Sequence, residues 1–235
     1  MGTIIILLTA LLPIAILVYY IYHKDKKLPE PTGQLVKAFL FGILSVPVSF
    51  CISIPLGLIG IYPVEATNIL GSISTAFFGA AIPEEIAKFF MLWLLLRKNP
   101  YFDEKMDGIV YAVCISLGFA ALENIMYLFS NAESYLSVGI ARAIFAVPGH
   151  FCFGIMMGYY YSLAKFYPQA PKKNKALILV APIIVHGLYD SILFIINVTP
   201  AISGVLLIVF LIFCHKMWKY GSKSIADHLC RDNSI

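Results

Sequence analysis

Runs of apolar residues long enough to cross a bilayer follow one another along almost the whole chain, and that property decides the class of fold. About 18 consecutive apolar residues mark a transmembrane helix. Seven candidates are present, at roughly 2–22, 36–60, 69–96, 108–129, 138–164, 176–197 and 201–215, the last of them short. With 60% hydrophobic residues against 13% charged and a mean hydropathy of +0.85, no soluble domain is left to fold. The chain reads as an all-α, polytopic membrane helical bundle of about seven transmembrane helices. No internal repeat or long linker divides it, so residues 1–235 are expected to form a single membrane domain with a short cytoplasmic tail from about 216.

The opening stretch "MGTIIILLTA" has no basic segment, and no small-residue cleavage site precedes "HKDKK", so it reads as a retained first span. Cys51, Cys114, Cys152, Cys214 and Cys230 are odd in number and mostly within spans, which indicates packing residues and no disulfide framework. A net charge of +4 does not point to nucleic acid, because the basic residues sit beside spans, where anionic lipid of the bilayer is the partner.

Those basic residues also orient the chain, since lysine and arginine beside spans stay on the cytoplasmic side. With the N-terminus outside, the inward segments carry Lys24, Lys26, Lys27 and Lys37, then Arg97, Lys98 and Lys105. They continue with Lys165, Lys172, Lys173 and Lys175, and finally Lys216, Lys219, Lys223 and Arg231. The outward loops near 61–68, 130–137 and 198–200 carry none, and the two remaining basic residues of the 17, Lys88 and Arg142, lie within spans. An N-out, C-in layout follows.

Eight ionisable residues are placed inside spans: Glu84, Glu85 and Lys88 on the third, Glu123 on the fourth, Arg142 and His150 on the fifth, His186 and Asp190 on the sixth. A charged side chain at a helix centre costs on the order of 2.5–3.5 kcal/mol on insertion scales, so each is a functional candidate. An ion-pair network that only orients helices would explain one pair; eight residues on four helices favour function. Glu84 and Glu85 come about fifteen residues in from the outer end of their span, near the midplane at 1.5 Å per residue. His150 falls at similar depth, His186 and Asp190 are central, and Glu123 lies further out. Lys88 shares a helical face with Glu84 and Glu85 as their charge partner, and His186 with Asp190 at i and i+4. Pro83 and Pro148 precede the glutamates and His150 and are expected to bend the helices there.

Acids and imidazoles around water suit hydrolysis, with a glutamate as base and a histidine donating to the oxyanion or the leaving amine. No GxSxG motif accompanies Ser72, Ser74, Ser116 or Ser191, and Cys152 points away from His150 at i+2. Zinc is a second expectation, with His150, His186 and Glu85 as the ligand set, although HExxH spacing is missing. Intramembrane acids also make ion-coupled transporters, and the same residues could hold a non-catalytic scaffold together.

The order of short motifs adds a resemblance. "EEIAK", "FDEKMDGIVYAVCISLGFAALENIMYLF", "HFCFG" and "HGLYD", with "KDKKLPEP" and "AFLFG" before them, closely resemble the PrsW family of intramembrane proteases over residues 20–196. Ala112 departs from the glycine expected after "DGIVY". PrsW proteins are similar to the CAAX prenyl endopeptidases and to the APH-1 scaffold of gamma-secretase. The resemblance implies a bacterial plasma-membrane protease making the site-1 cut in a single-pass anti-sigma factor on its extracytoplasmic side, in envelope-stress signalling. It also implies Glu84 and Glu85 as the catalytic pair and His186 as an essential histidine, with His150, Glu123 and Asp190 following by motif position; Arg142, by its place inside a span, is read beside Lys88 as a charge partner. The family is described both as metallo- and as glutamic proteases; the residues favour the glutamic type without a cofactor. Nothing in the sequence sets an oligomeric state.

Overall fold

The computed structural model describes residues 2–25, 28–167, 169 and 171–233. Lys26 and Lys27, counted above among the orienting residues, lie outside the described residues, as does the side chain of Lys172. Among the described residues there are seven helical rods and no strand. The first two are α1 (Gly2–Lys24) and α2 (Thr32–Leu58). The third runs without a break through α3 (Ile69–Ser74), a π-helical segment Thr75–Ala81, and α4 (Ile82–Leu96). The fourth is α5 (Lys105–Ser130), and the fifth joins α6 (Tyr135–Ala141), a second π segment Arg142–Ala146, and α7 (Val147–Phe166). Then come α8 (Pro171–Val198), a 3-10 turn Pro200–Ile202 and α9 (Ser203–Asp232).

Six of the rods are long and apolar enough to cross a membrane. The third is long enough too, but Glu84, Glu85 and Lys88 at its centre lower its hydropathy below that of the others. Its polarity is the signature of the site it carries. The last span is longer than the sequence indicated: α9 does not stop near residue 216 but continues as one helix to Asp232.

α5 is the axis of the bundle and is buried along almost its whole length, chiefly between α2 and α7. It gets there through close backbone approach. A Cβ on Gly42 would lie 2.0 Å from the Ile115 carbonyl oxygen, and one on Gly158 would lie 2.2 Å from the Gly108 carbonyl oxygen. Small residues let membrane helices touch backbone to backbone, where van der Waals packing substitutes for the missing hydrophobic drive.

The two π segments share one cause. Pro83 and Pro148 each follow a π segment at the second position of the next helix, and each lacks an N–H while its ring crowds the carbonyl four residues back. An extra residue in the preceding turn relieves the crowding, so the Ile82 N–H donates to Phe77 O and the Val147 N–H to Arg142 O, five residues back. The bends expected from the prolines are thus widened turns.

One end of the bundle gathers the connections that carry the basic residues. Lys105 Nζ donates to Asp232 Oδ1 at 3.1 Å, Lys165 donates to the Phe102 carbonyl, and the Tyr111 hydroxyl donates to Glu30. The opposite end holds the connection after α2, where the Tyr62 hydroxyl donates to Ser53 O at 3.0 Å and Ser74 to Ile61 O at 2.7 Å.

Candidate active site

The widened turns deliver the charged residues. Thr75–Ala81 sets α4 so that Glu84, Glu85 and Lys88 point into the bundle, and Arg142–Ala146 does the same for His150 while itself carrying Arg142. α5 adds Glu123 and α8 adds His186 and Asp190.

All eight residues singled out from the sequence meet in one connected cluster. Lys88, 1% exposed, is its hub: Nζ lies 2.9 Å from Glu85 Oε1, 3.2 Å from Glu84 Oε2 and 3.3 Å from His150 Nδ1. The Phe119 ring seats the ammonium at 4.1 Å, a cation–π contact to a buried charge. On one side His186 bridges two acids, with Nδ1 2.9 Å from Glu85 Oε1 and Nε2 3.2 Å from Asp190 Oδ2. Phe153 stacks on the His186 ring with centroids 4.5 Å apart, which fixes the plane of the imidazole. On the other side His150 Nε2 lies 2.9 Å from Glu123 Oε2, and Arg142 Nη2 donates to the same oxygen at 2.6 Å. Glu123, expected further out, is drawn in by these two contacts.

The two glutamates differ in access. Glu85 is fully buried, pinned between Lys88 and His186. Glu84 faces a cavity of about 320 Å³, whose polar wall is completed by Glu123, Arg142, His150, His186 and Asp190. Four carboxylates therefore share the site with two permanent cations and two imidazoles.

Asn124 belongs to the site and was missed in the sequence. Its side-chain oxygen accepts from Arg142 Nε at 2.5 Å while its amide donates to Ala10 O at 3.0 Å, so it aims the guanidinium at Glu123. The available signal was "LEN": an asparagine beside an intramembrane glutamate, itself a buried polar group in want of partners. The serines do other work. Ser116 donates to His150 O and Ser191 to Gly187 O, both at 2.6 Å, and Cys152 is a buried thiol.

For a metal, the set differs from the expected His150, His186 and Glu85. Glu84, Glu85 and His186 each offer one donor atom, all within 4.8 Å of one another, and His150 is not in that group. Two carboxylates and an imidazole are a zinc donor set. Glu85 Oε2, buried without a hydrogen-bond partner among the described residues, leaves an acceptor for a cation. These residues fit a metal ion.

A polytopic helical bundle with a cluster of acids and imidazoles beside a cavity at its centre is the architecture of a membrane protein whose chemistry is done within the bilayer. The family model described as "PrsW family intramembrane metalloprotease" matches residues 30–215. "Protease PrsW" of Clostridioides difficile (strain 630) is 37% identical over 231 residues, covering 97% of this chain and 93% of that protein. "Protease PrsW" of Oceanobacillus iheyensis is 38% identical over 190 residues, 80% of this chain and 82% of that protein, and "Protease PrsW" of Bacillus subtilis (strain 168) is 36% identical over 180 residues, 75% and 77%. No solved structure matches the chain with significance. The chain belongs to the PrsW family; it is a multi-pass membrane protease.

Proposed function

We propose that the chain is an intramembrane endopeptidase in which Glu84 activates the attacking water. The observation that supports this most is the division of access between the two glutamates: Glu84 on the cavity wall, Glu85 sealed beside Lys88 and His186. A base must reach its proton within about 2.6–3.2 Å, or through one water, and of the adjacent glutamate pair only Glu84 lines the cavity. Glu84 takes a proton from water as the oxygen adds to the scissile carbonyl. The C–N bond then breaks as Glu84 returns the proton to the leaving amine. His186, its Nδ1 held by Glu85 and its ring by Phe153, gives up the Asp190 contact of Nε2 to donate toward the oxyanion, and electrostatic stabilisation of that kind is worth about 10²–10³ in rate per donor. Glu85 and Lys88 position Glu84 and His186, while Arg142 and Glu123 hold His150 at the wall. In a zinc-dependent version of the same protease, Glu84, Glu85 and His186 would hold the ion in place of the base and donor roles they play without it, and the ion would supply Lewis acidity toward the scissile carbonyl.

The substrate in this reading is a single-pass membrane anti-sigma factor, cut on its extracytoplasmic side as the first step of sigma-factor release. Two things support it: the family resemblance, and the orientation that the basic residues imply. Glu123 lies near the end of α5 away from the basic connections, so the cavity is nearer the outer face. The test is co-reconstitution with a single-pass anti-sigma factor and mass-spectrometric mapping of the products. A new terminus in the outer juxtamembrane segment, absent with Glu84→Gln, is the expected result. A cut on the cytoplasmic side, or the same cut by the variant, would refute the assignment.

A further inference from the structure

α9 is fastened to the bundle at one end and held by a single buried side chain toward the other. At the basic end Asp232 accepts from Lys105 Nζ, His228 stacks on Tyr159 with ring centroids 4.4 Å apart, and Gly221 lies against Ile155. In the outer half, residues 203–216, Phe210 is the one buried residue, 1% exposed, while Val205, Leu207, Ile208 and Leu211 are 46% to 64% exposed. The Phe210 ring sits between two others, 5.5 Å by centroids from Phe145 on the π segment and 4.9 Å from Tyr189 on α8. Phe145 and Tyr189 both line the cavity.

The two elements that Phe210 joins belong to different parts of the bundle. α6 and the π segment Arg142–Ala146 pack chiefly on α1, α5 and α7, whereas α8 packs chiefly on α7 and on the third rod. Between them runs a seam that side chains close, and behind it Glu84, Arg142, His186 and Asp190 line the cavity. Ile140 and Ile144, on the fifth-rod side, are 52% and 58% exposed, so the surface beside the seam is apolar. In hydrocarbon every backbone polar group must be satisfied internally, so a spanning substrate can travel only as a helix and can open its backbone only within the protein. Helices meet in lipid through van der Waals packing, which an apolar flank offers. A passage closed by aromatic side chains opens at the cost of a few ring contacts, each individually modest, while the helix packing around it stays intact.

We propose that this seam, between the π segment Arg142–Ala146 and α8, is the side entrance by which the apolar transmembrane helix of a single-pass protein reaches the cavity, with Phe210 as its latch. The proposal rests on the reading of the chain as an endopeptidase of single-pass proteins and names the path and the surface that such a substrate uses. Opening withdraws the Phe210 ring with the outer half of α9, and the fastened inner half is the hinge. The 3-10 turn Pro200–Ile202 ties the outer end of α9 to α8 and keeps that movement short. α8, with His186 and Asp190, stays packed on α7 and the third rod, so the catalytic cluster is undisturbed.

The test follows binding apart from cleavage. The full chain carrying Glu84→Gln, acceptor-labelled at its C-terminus, is mixed in bicelles with the donor-labelled single-pass anti-sigma factor of the cleavage assay, and the association rate is read by energy transfer. Phe210→Ala is expected to raise that rate at least about threefold, because binding through a minor open state follows its population. Ile208→Ala, on the exposed face of α9, should leave it unchanged. Phe145→Cys with Phe210→Cys, in a Cys214→Ala background and joined by a reducible bifunctional thiol reagent, should associate at least about tenfold more slowly than the same sample after reduction. That comparison is made within one protein, so it answers even where Phe210→Ala lowers Tm. Equal association in the bridged and reduced forms, or no association in any form, would overturn the entrance. Cleavage by the same bridged and reduced chains with Glu84 restored separates the two readings. Cleavage at one rate in both forms removes the entrance and leaves the endopeptidase, whereas latch-dependent association with no cleavage in either form supports the entrance and removes the endopeptidase.

Discussion

Lys88 is the cation that ties the buried cluster together, because its ammonium reaches Glu84, Glu85 and His150. Lys88→Met removes that cation and leaves two neighbouring buried carboxylates without it. Breaking one partner out of a buried pair costs about 3–5 kcal/mol, so the variant is expected to melt well below the unmodified chain and to lose activity. An unchanged Tm would show that the ammonium is not the counter-charge. Glu84→Gln should behave differently: a neutral isostere on the cavity wall leaves Tm within about 1 °C, with kcat down at least about 10³-fold and KM little changed, the pattern of an interaction made only in the transition state. Every charged member of this cluster was legible in the sequence, because apolar surroundings make an acid or a lysine conspicuous. Partner choice was not. His150, His186 and Glu85 were the metal set expected, whereas the donors that cluster most closely are Glu84, Glu85 and His186, and spacing within one helix says nothing of contacts between helices.

The helices themselves were legible from hydropathy, and α5, the joined rod of α6 and α7, and α8 begin and end within about five residues of the expected spans. The π segments were not. Helical periodicity assumes 3.6 residues per turn, and a proline signals a bend without saying whether the chain kinks or widens. The difference is functional, since one extra residue rotates everything beyond it by about 100°. Deleting Gly79 from the Thr75–Ala81 segment is expected to turn Glu84 off the cavity wall and reduce cleavage at least about 10²-fold while insertion persists, since small misplacements of reacting groups have effects of that size. Cleavage at the original rate would show that the register is immaterial. The glycine contacts of α5 make a second test. Gly158→Val pushes a side chain into the Gly108 carbonyl, 2.2 Å from where its Cβ would lie, and overpacking of this kind costs about 1–3 kcal/mol. A Tm equal to that of the unmodified chain would mean that α5 and α7 can slide apart freely.

The molecule as a whole divides its labour between the two ends of α5. One end is cross-tied by acids, lysines and the last turn of α9, and toward the other the cavity opens. The tail expected beyond residue 216 is part of that tie: Asp232 accepts from the Lys105 and Met106 N–H groups at 3.1 and 2.9 Å, capping α5 from another helix. Hydropathy could not reveal this, because the last two turns of α9 are polar and join the bundle through hydrogen bonds. Asp232→Ala is expected to cost about 0.5–2 kcal/mol, the range for losing a helix cap, and to lower Tm with little effect on kcat. A large loss of kcat at unchanged Tm would mean that the two ends are coupled in catalysis.

The decisive measurement is single-turnover cleavage of a single-pass membrane substrate in proteoliposomes by the unmodified chain, Glu84→Gln and Glu85→Gln, each with and without chelator. The unmodified chain should cut and Glu84→Gln should not, although it binds the substrate with the same affinity. Glu85→Gln should be impaired in both stability and rate, since Glu85 positions Lys88 and His186. Cleavage by Glu84→Gln at a rate within tenfold of the unmodified chain would contradict the assignment of the water-activating base to the wall glutamate.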